Sequence, residues 1–205
     1  MLKIFKPCDF HVHLREGSLS YFVLKENNKH FQKVLVMPNL KKPMTNSKLL
    51  LNYRKKILKN NKFSEILFTI YLNKDCSLND LDYMYKNKIF FSAKLYPLNA
   101  TTNSASGVSD IKKMSKYFDF LEENKIPLCI HGEHVHNNDD PYDREKKFLD
   151  KELSWITKTF KSLKITLEHI TTKDSVSFVK SHQNISATIT THHRLENTYT
   201  FLGNE

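Results

Sequence analysis

Glycine is scarce in this chain, with four in 205 residues, and no Gly-rich phosphate loop follows the first apolar run. A dinucleotide-binding sheet needs such a loop where its first strand passes into a helix, so that route is nearly closed. Cysteine is scarcer still. Cys8, Cys76 and Cys129 are far apart, odd in number and without a CxxC pair, so the expectation is free, mostly buried thiols rather than a disulfide framework. No run of 18 apolar residues is present, which argues against a helical membrane span. Residues 1–14 carry acidic and histidine residues where a secretory signal would need an apolar block, so the expected location is the cytoplasm. The formal charge of +10 invites a nucleic-acid reading. The lysines, however, are scattered among asparagines, as in "RKKILKNNK", and read as solvated helix faces. No basic stripe with interleaved aromatics appears, so no nucleic-acid partner is expected. The positive field would equally suit a small anionic substrate.

Apolar residues make up 40% of the chain and charged residues 26%, the balance of an ordinary globular domain. Short apolar runs at 3–10, 33–38, 65–72, 90–96, 127–131, 164–169 and 185–190 have the length of buried strands. Amphipathic stretches at 45–60, 110–123, 143–158 and 172–180 have helical spacing; the first carries Leu49, Leu50, Tyr53 and Ile57. Seven strands alternating with helices and no linker predict a parallel α/β architecture. Between an open sheet and a (β/α)8 TIM barrel, the barrel is the better reading. A barrel needs eight strands and typically about 250 residues. The expectation is a single barrel domain over 1–205, incomplete by about one strand.

The first strand leads into "DFHVHLREG", where His11 and His13 are two apart and so project from one face of extended chain. Two imidazoles so placed can share a metal ion. On their own they are as consistent with surface or core histidines. Other ligand-type residues recur at the ends of other strands: Lys94 in "FFSAKLYP", His131 in "PLCIHGE" and His169 in "KITLEHIT". Barrel enzymes place their active sites at this end, and a coincidence of four strands is hard to assign to packing. Lys94 is ambiguous. A protonated amine repels cations, whereas a desolvated one can become neutral and nucleophilic; taken alone, a lysine paired with an acid or reaching the surface is the better reading. His134, His136, His192 and His193 read as loop or supporting residues, and Trp155 as core.

The strings "DFHVHLREG", "VLVMPNL", "AKLYPLNATTNSASGV", "IHGE" followed by "DRE", "LEHITTKD" and "ATITTHH" occur in this order over essentially the whole chain. Together they resemble the single-domain bacterial type of dihydroorotase, in the amidohydrolase superfamily. The resemblance implies a zinc-dependent cyclic amide hydrolase that interconverts carbamoyl aspartate and dihydroorotate in pyrimidine biosynthesis. It implies two Zn2+ ions, with His11 and His13 on one, His131 and His169 on the other, and N6-carboxylated Lys94 as the bridge. It places Arg15 and Asn39 on the substrate carboxylate, and Thr101 and Thr102 in a loop over the bound substrate. Members of this type are commonly dimers.

The family's catalytic aspartate, at the end of the eighth strand, is expected beyond Glu205, so the catalytic residue is unknown within these residues. The chain on its own is therefore expected to bind metal poorly and to be weakly active or inactive. The alternative is a non-catalytic truncated barrel serving as a scaffold or as one half of a split enzyme. The joint retention of His11, His13, Lys94, His131 and His169 favours the enzyme. The loop "NATTNS" and the Arg15/Asn39 pair count against another cyclic amide or urea as substrate.

Overall fold

Seven short strands alternate with helices in the computed structural model, which describes residues 4–59, 61, 65–136 and 139–196. The chain divides into two compact units, Met1–Lys94 with Thr101–Ser106, and Leu95–Ala100 with Gly107–Glu205.

In the first unit, β1 (Cys8–Val12), β2 (Lys33–Val36) and β3 (Glu65–Leu72) pair in parallel in chain order. Burial in β2 and in the second half of β3 is continuous rather than alternating. This is the signature of parallel strands covered on both faces. The sequence places the start of β1 at residue 3; the structure begins it at Cys8. Pro7 lacks an N–H and cannot donate to a ladder, although its carbonyl still accepts from Gln32 N at 2.9 Å. Ile4 and Phe5 before it are exposed.

Two helices in this unit, α1 (Gly17–His30) and α3 (Leu78–Lys86), lie where no helical pattern stands out in the sequence. Between them α2 (Ser47–Lys59) buries Leu50, Tyr53 and Ile57, residues spaced to share one face. Asn46 caps α2 by accepting from Leu49 N at 3.0 Å. Asp80 of α3 accepts from Ser47 N at 2.7 Å, placing a carboxylate on the positive end of α2.

The strand β4 (Ser92–Leu95) is wholly buried and reaches the division between the units at Lys94. In the second unit β5 (Leu128–His131), β6 (Ile165–Glu168) and β7 (Ile185–Ala187) are again parallel and in chain order. The helix α4 (Ser115–Glu123) buries Tyr117, Phe118 and Leu121. The single helix read at 143–158 is one winding in three parts: α5 (Arg144–Phe148), a π-helical turn at Leu149–Leu153, and α6 (Ser154–Thr159). The helix α7 (Lys173–Lys180) is capped by Thr172, which accepts from Ser175 N at 3.2 Å, and α8 (Thr191–Leu195) is one short turn. Among the described residues no helix is long and apolar enough to cross a membrane. None of the three cysteines is in a disulfide; Cys76 and Cys129 are buried and Cys8 partly so.

After β4 the chain folds back on itself. Val108 N donates to Tyr96 O at 2.8 Å and Leu98 N to Val108 O at 3.0 Å. Gly107 sits at the crossing, where an added Cβ would lie 2.7 Å from the carbonyl oxygens of both Tyr96 and Pro97. These are backbone atoms with little room to yield. Gly107→Ala is predicted to lower stability by about 1–3 kcal/mol in urea unfolding; an unchanged midpoint would show that this crossing is loose.

Candidate metal centre

The ligand-type residues stand where both faces of a strand are covered and its end opens. In the first unit a β-bulge re-aims the start of the group. From Asp9 to Val12 is three residues along β1, but the partners on β2, Val34 and Val36, are two apart. The extra residue falls beside His11, whose N–H donates to Asp9 Oδ1 at 2.9 Å. His13 follows one residue beyond the strand, and the two imidazoles sit edge to face with centroids 5.2 Å apart.

The chain then turns through Arg15 at φ 60° and Gly17 at φ 65°. For an arginine this left-handed conformation is uncommon and strained. The Tyr53 hydroxyl, buried under α2, holds it by donating to Arg15 O at 2.8 Å. Asn39, just past β2, is 3% exposed; its Nδ2 donates to Thr102 O and its carbonyl accepts from Asn103 Nδ2, both at 3.0 Å. Asn73 Nδ2 adds a bond to Ser106 O at 3.1 Å. The 101–106 loop is thereby tied to the first unit, with the Thr101 and Thr102 side chains exposed.

Lys94, on β4, is fully buried. Its charge, with those of His11 and Arg15, acts on His13, whose pKa is lowered from 6.5 to about 3. Burial is the largest cause; a hydrogen bond with Asn39 opposes it. His11, His13, Arg15, Asn39 and Lys94 therefore form one neighbourhood, in which His13 is neutral over the ordinary pH range.

In the second unit His131 ends β5 and His169 follows β6 directly. His131 Nδ1 and His169 Nε2 are 3.2 Å apart, and the ring centroids 4.7 Å. On its far side His131 Nε2 is 3.0 Å from Glu133 Oε1. The ring is thus flanked on one nitrogen by a carboxylate and on the other by a second imidazole. Tyr96 lies against the same ring, at 6.2 Å between centroids.

His169 has φ 44°, a second strained residue. It is held from both sides. Its N–H donates to Thr188 Oγ1 at 2.7 Å, and that hydroxyl donates to the buried Glu168 Oε2 at 2.6 Å. Beyond it, Glu145 accepts from the backbone N–H and hydroxyl of Thr171 and Thr172 and from the Ser175 hydroxyl. These five bonds hold the Glu145 carboxyl below its usual range even though burial opposes ionisation.

Two nitrogens on one tetrahedral ion, each at about 2.0–2.1 Å, stand about 3.3–3.4 Å apart. The His131–His169 pair fits that spacing. Among the described residues no group of three or more His, Cys, Asp or Glu side chains is assembled for an ion. The histidines come in pairs, so a complete shell requires a donor of another kind.

Residues read from the sequence as supporting do stand nearby. His134 belongs to a different cluster: its Nδ1 is 2.7 Å from Glu152 Oε1 and its Nε2 3.2 Å from Lys151 Nζ. With His136 and Glu133 it lines a cavity of about 770 Å³ within the second unit, floored by Trp155 and Phe148. His193 lies 6.4 Å from His169, ring to ring. The supporting roles of Glu133, Tyr53 and Thr188 are not among the expectations from the sequence. Glu133 had a signal in the "HGE" string; the other two act through contacts distant in sequence.

The His13 shift has a sign that can be tested in metal-free protein. Between about pH 3 and 6.5 the unfolded state binds a proton at His13 that the folded state does not. This contribution makes stability rise with pH across that window and level off above it. His13→Asn is predicted to flatten the rise in denaturant midpoints measured from pH 4 to 7; an unaltered slope would contradict the assignment.

No family model matches the chain. It is 42% identical over 202 residues to a dihydroorotase of Buchnera aphidicola, an alignment that covers 96% of this chain and 57% of that protein. Among solved structures, a dihydroorotase from Campylobacter jejuni matches with a TM-score of 0.87 and 34% identity, over 98% of this chain and 58% of the other. A dihydroorotase from Saccharomyces cerevisiae, solved with 5-fluoroorotic acid, matches with a TM-score of 0.87 and 30% identity, over 97% and 59%. An L-hydantoinase from Arthrobacter aurescens, 14% identical at a TM-score of 0.71, shares the fold alone. The fold class is thus α/β, an incomplete (β/α)8 barrel with seven strands. The chain spans somewhat under three fifths of the length of the relatives it matches, and over nearly all of its own length it is a homologue of the dihydroorotases.

Proposed function

We propose that these residues are one amidohydrolase-type barrel domain of a cytoplasmic enzyme that interconverts carbamoyl aspartate and dihydroorotate. His11 and His13 would hold one Zn2+ ion and His131 and His169 a second, with carboxylated Lys94 as the ligand the family resemblance implies for both. The observation that carries the proposal is the His131–His169 pair, 3.2 Å apart with the far nitrogen of His131 held by Glu133. The 42% identity to a named dihydroorotase supports the substrate class. A scaffold would not require all five ligand-type residues to be intact.

Lys94 supplies the other kind of donor. Full burial disfavours the ammonium form, and on giving up its proton the amine would become nucleophilic. Its nitrogen attacks the carbon of carbon dioxide and loses a proton, giving a carbamate with one negative charge and two donor oxygens. The neutral state of His13 meets the same need, since only an unprotonated imidazole can be a ligand. When bound, the two ions would supply Lewis acidity at the ring carbonyl and lower the pKa of the attacking water.

The remaining residues position the substrate. Arg15 offers a planar fork suited to a carboxylate, and its strained backbone is braced by Tyr53. Asn39 has its Nδ2 on the Thr102 carbonyl; in gripping the substrate carboxylate it would exchange that partner and loosen the 101–106 loop. Thr101 and Thr102 have exposed hydroxyls able to donate once the loop lies over substrate. No general acid–base group is assigned among these residues, and its lack costs roughly 10²–10⁴ in rate. The 205 residues by themselves are accordingly expected to turn substrate over weakly. The partner is a small molecule, in a subunit of a homodimer, without nucleic acid or membrane.

Metal content tests the proposal. Held in excess zinc and bicarbonate, the chain is expected to bind zinc weakly but measurably, one or two ions by elemental analysis at equilibrium. Lys94→Ala is expected to lose most of that content and to recover part of it when small carboxylic acids are added. Full zinc retention by Lys94→Ala, or none by the parent chain, would overturn the assignment.

A further inference from the structure

The resemblance assigns His131 as a ligand but not the atom that binds, nor what selects it. An imidazole has two nitrogens, and the neutral ring exists in two tautomers. Which nitrogen is available to an ion depends on where the proton sits. His131 is 6% exposed, so water cannot satisfy whichever nitrogen is left over. Its Nδ1 faces His169 Nε2 at 3.2 Å, and its Nε2 faces Glu133 Oε1 at 3.0 Å.

We propose that Glu133 is a positioning residue that fixes His131 in the Nε2–H tautomer and so presents Nδ1 as the ligand atom. The geometry of the strand end makes this possible. β5 stops at His131, so the chain is free to turn at Gly132 and bring the Glu133 carboxylate back onto the ring it follows by two residues. Gly132 is itself closely packed, since a Cβ there would come within 2.6 Å of Leu167 Cδ1. The other oxygen of Glu133 lies 3.9 Å from Arg144 Nη1, so the carboxylate is approached from both sides. Glu133 would thus act on a bound ion through His131. Carboxylates behind a ligating histidine orient the ring and raise its basicity.

This inference rests on the metal assignment above, and the test separates the two. The first measurement is the tautomer of His131 in metal-free protein, read from long-range nitrogen–proton correlations of the ring. The parent and Glu133→Gln, which keeps an accepting oxygen, are expected to show Nε2–H; Glu133→Ala is expected to show a mixture or the Nδ1–H form. The second measurement is zinc affinity in competition with a chromophoric chelator, for which Glu133→Ala is expected to bind about 10–100-fold more weakly and Glu133→Gln to retain much of the difference. A merely structural role would leave the tautomer unmoved. Nε2–H retained in Glu133→Ala overturns the inference, as does unchanged zinc affinity in that variant. A parent chain that binds no zinc overturns the metal assignment instead, while the tautomer shift still decides whether Glu133 sets the proton.

Discussion

A strand covered on both faces cannot carry a polar side chain in its middle without a large desolvation cost, so its chemistry gathers at its ends. The structure shows that constraint strand by strand. β2 is buried from Val34 to Val36, and the polar Asn39 comes only after it. β5 runs through Leu128, Cys129 and Ile130 before it reaches His131. β6 ends at Glu168 with His169 next. Among ionisable side chains Lys94 is the exception, fully buried within β4; the buried Thr69 hydroxyl in β3 donates to the Val36 carbonyl. The proposed carbamate answers that exception, because it turns a side chain that burial disfavours as a cation into an anionic donor.

The strand ends are also where the backbone is least comfortable. Arg15 and His169 both adopt left-handed conformations that ordinary residues avoid. Each is braced by a hydrogen bond from outside its own segment, Tyr53 on Arg15 and Thr188 on His169. The braces rest on buried groups: Tyr53 is 6% exposed, and Thr188 is anchored on Glu168, which is 2% exposed. Strain of this kind persists only where surrounding packing determines it. Packing and hydrogen bonds thus set directions for side chains that the sequence places only approximately.

That division explains what was legible from the residues alone. Runs of Ile, Val, Leu and Phe gave the strands, because burial on both faces demands them. The start of β1 was misplaced because Ile4 and Phe5 look like strand residues, while Pro7 prevents pairing there. The helix α1 escaped notice since Leu19, Tyr21 and Phe22 face solvent and only Leu24 is buried, leaving no clean stripe. The helix α3 is short, and its Tyr83 and Tyr85 are exposed for the same effect. Ligand-type residues at strand ends were visible because position along a strand is a local property. The roles of Glu133, Tyr53, Thr188 and Glu145 depend on contacts that no local pattern announces; the strings "HGE", "DRE" and "ATITTHH" contain three of them without naming their partners.

The central claim is that the two histidine pairs and Lys94 serve one binuclear centre. Anomalous diffraction at the zinc edge from crystals of the zinc-loaded chain tests it directly. The account predicts two peaks, one at ligand distance from His11 and His13 and one from His131 Nδ1 and His169 Nε2, with density for a carboxylated Lys94 reaching both. A single peak at His134 or at an exposed histidine, or two peaks with an unmodified Lys94 bound to neither, would contradict it.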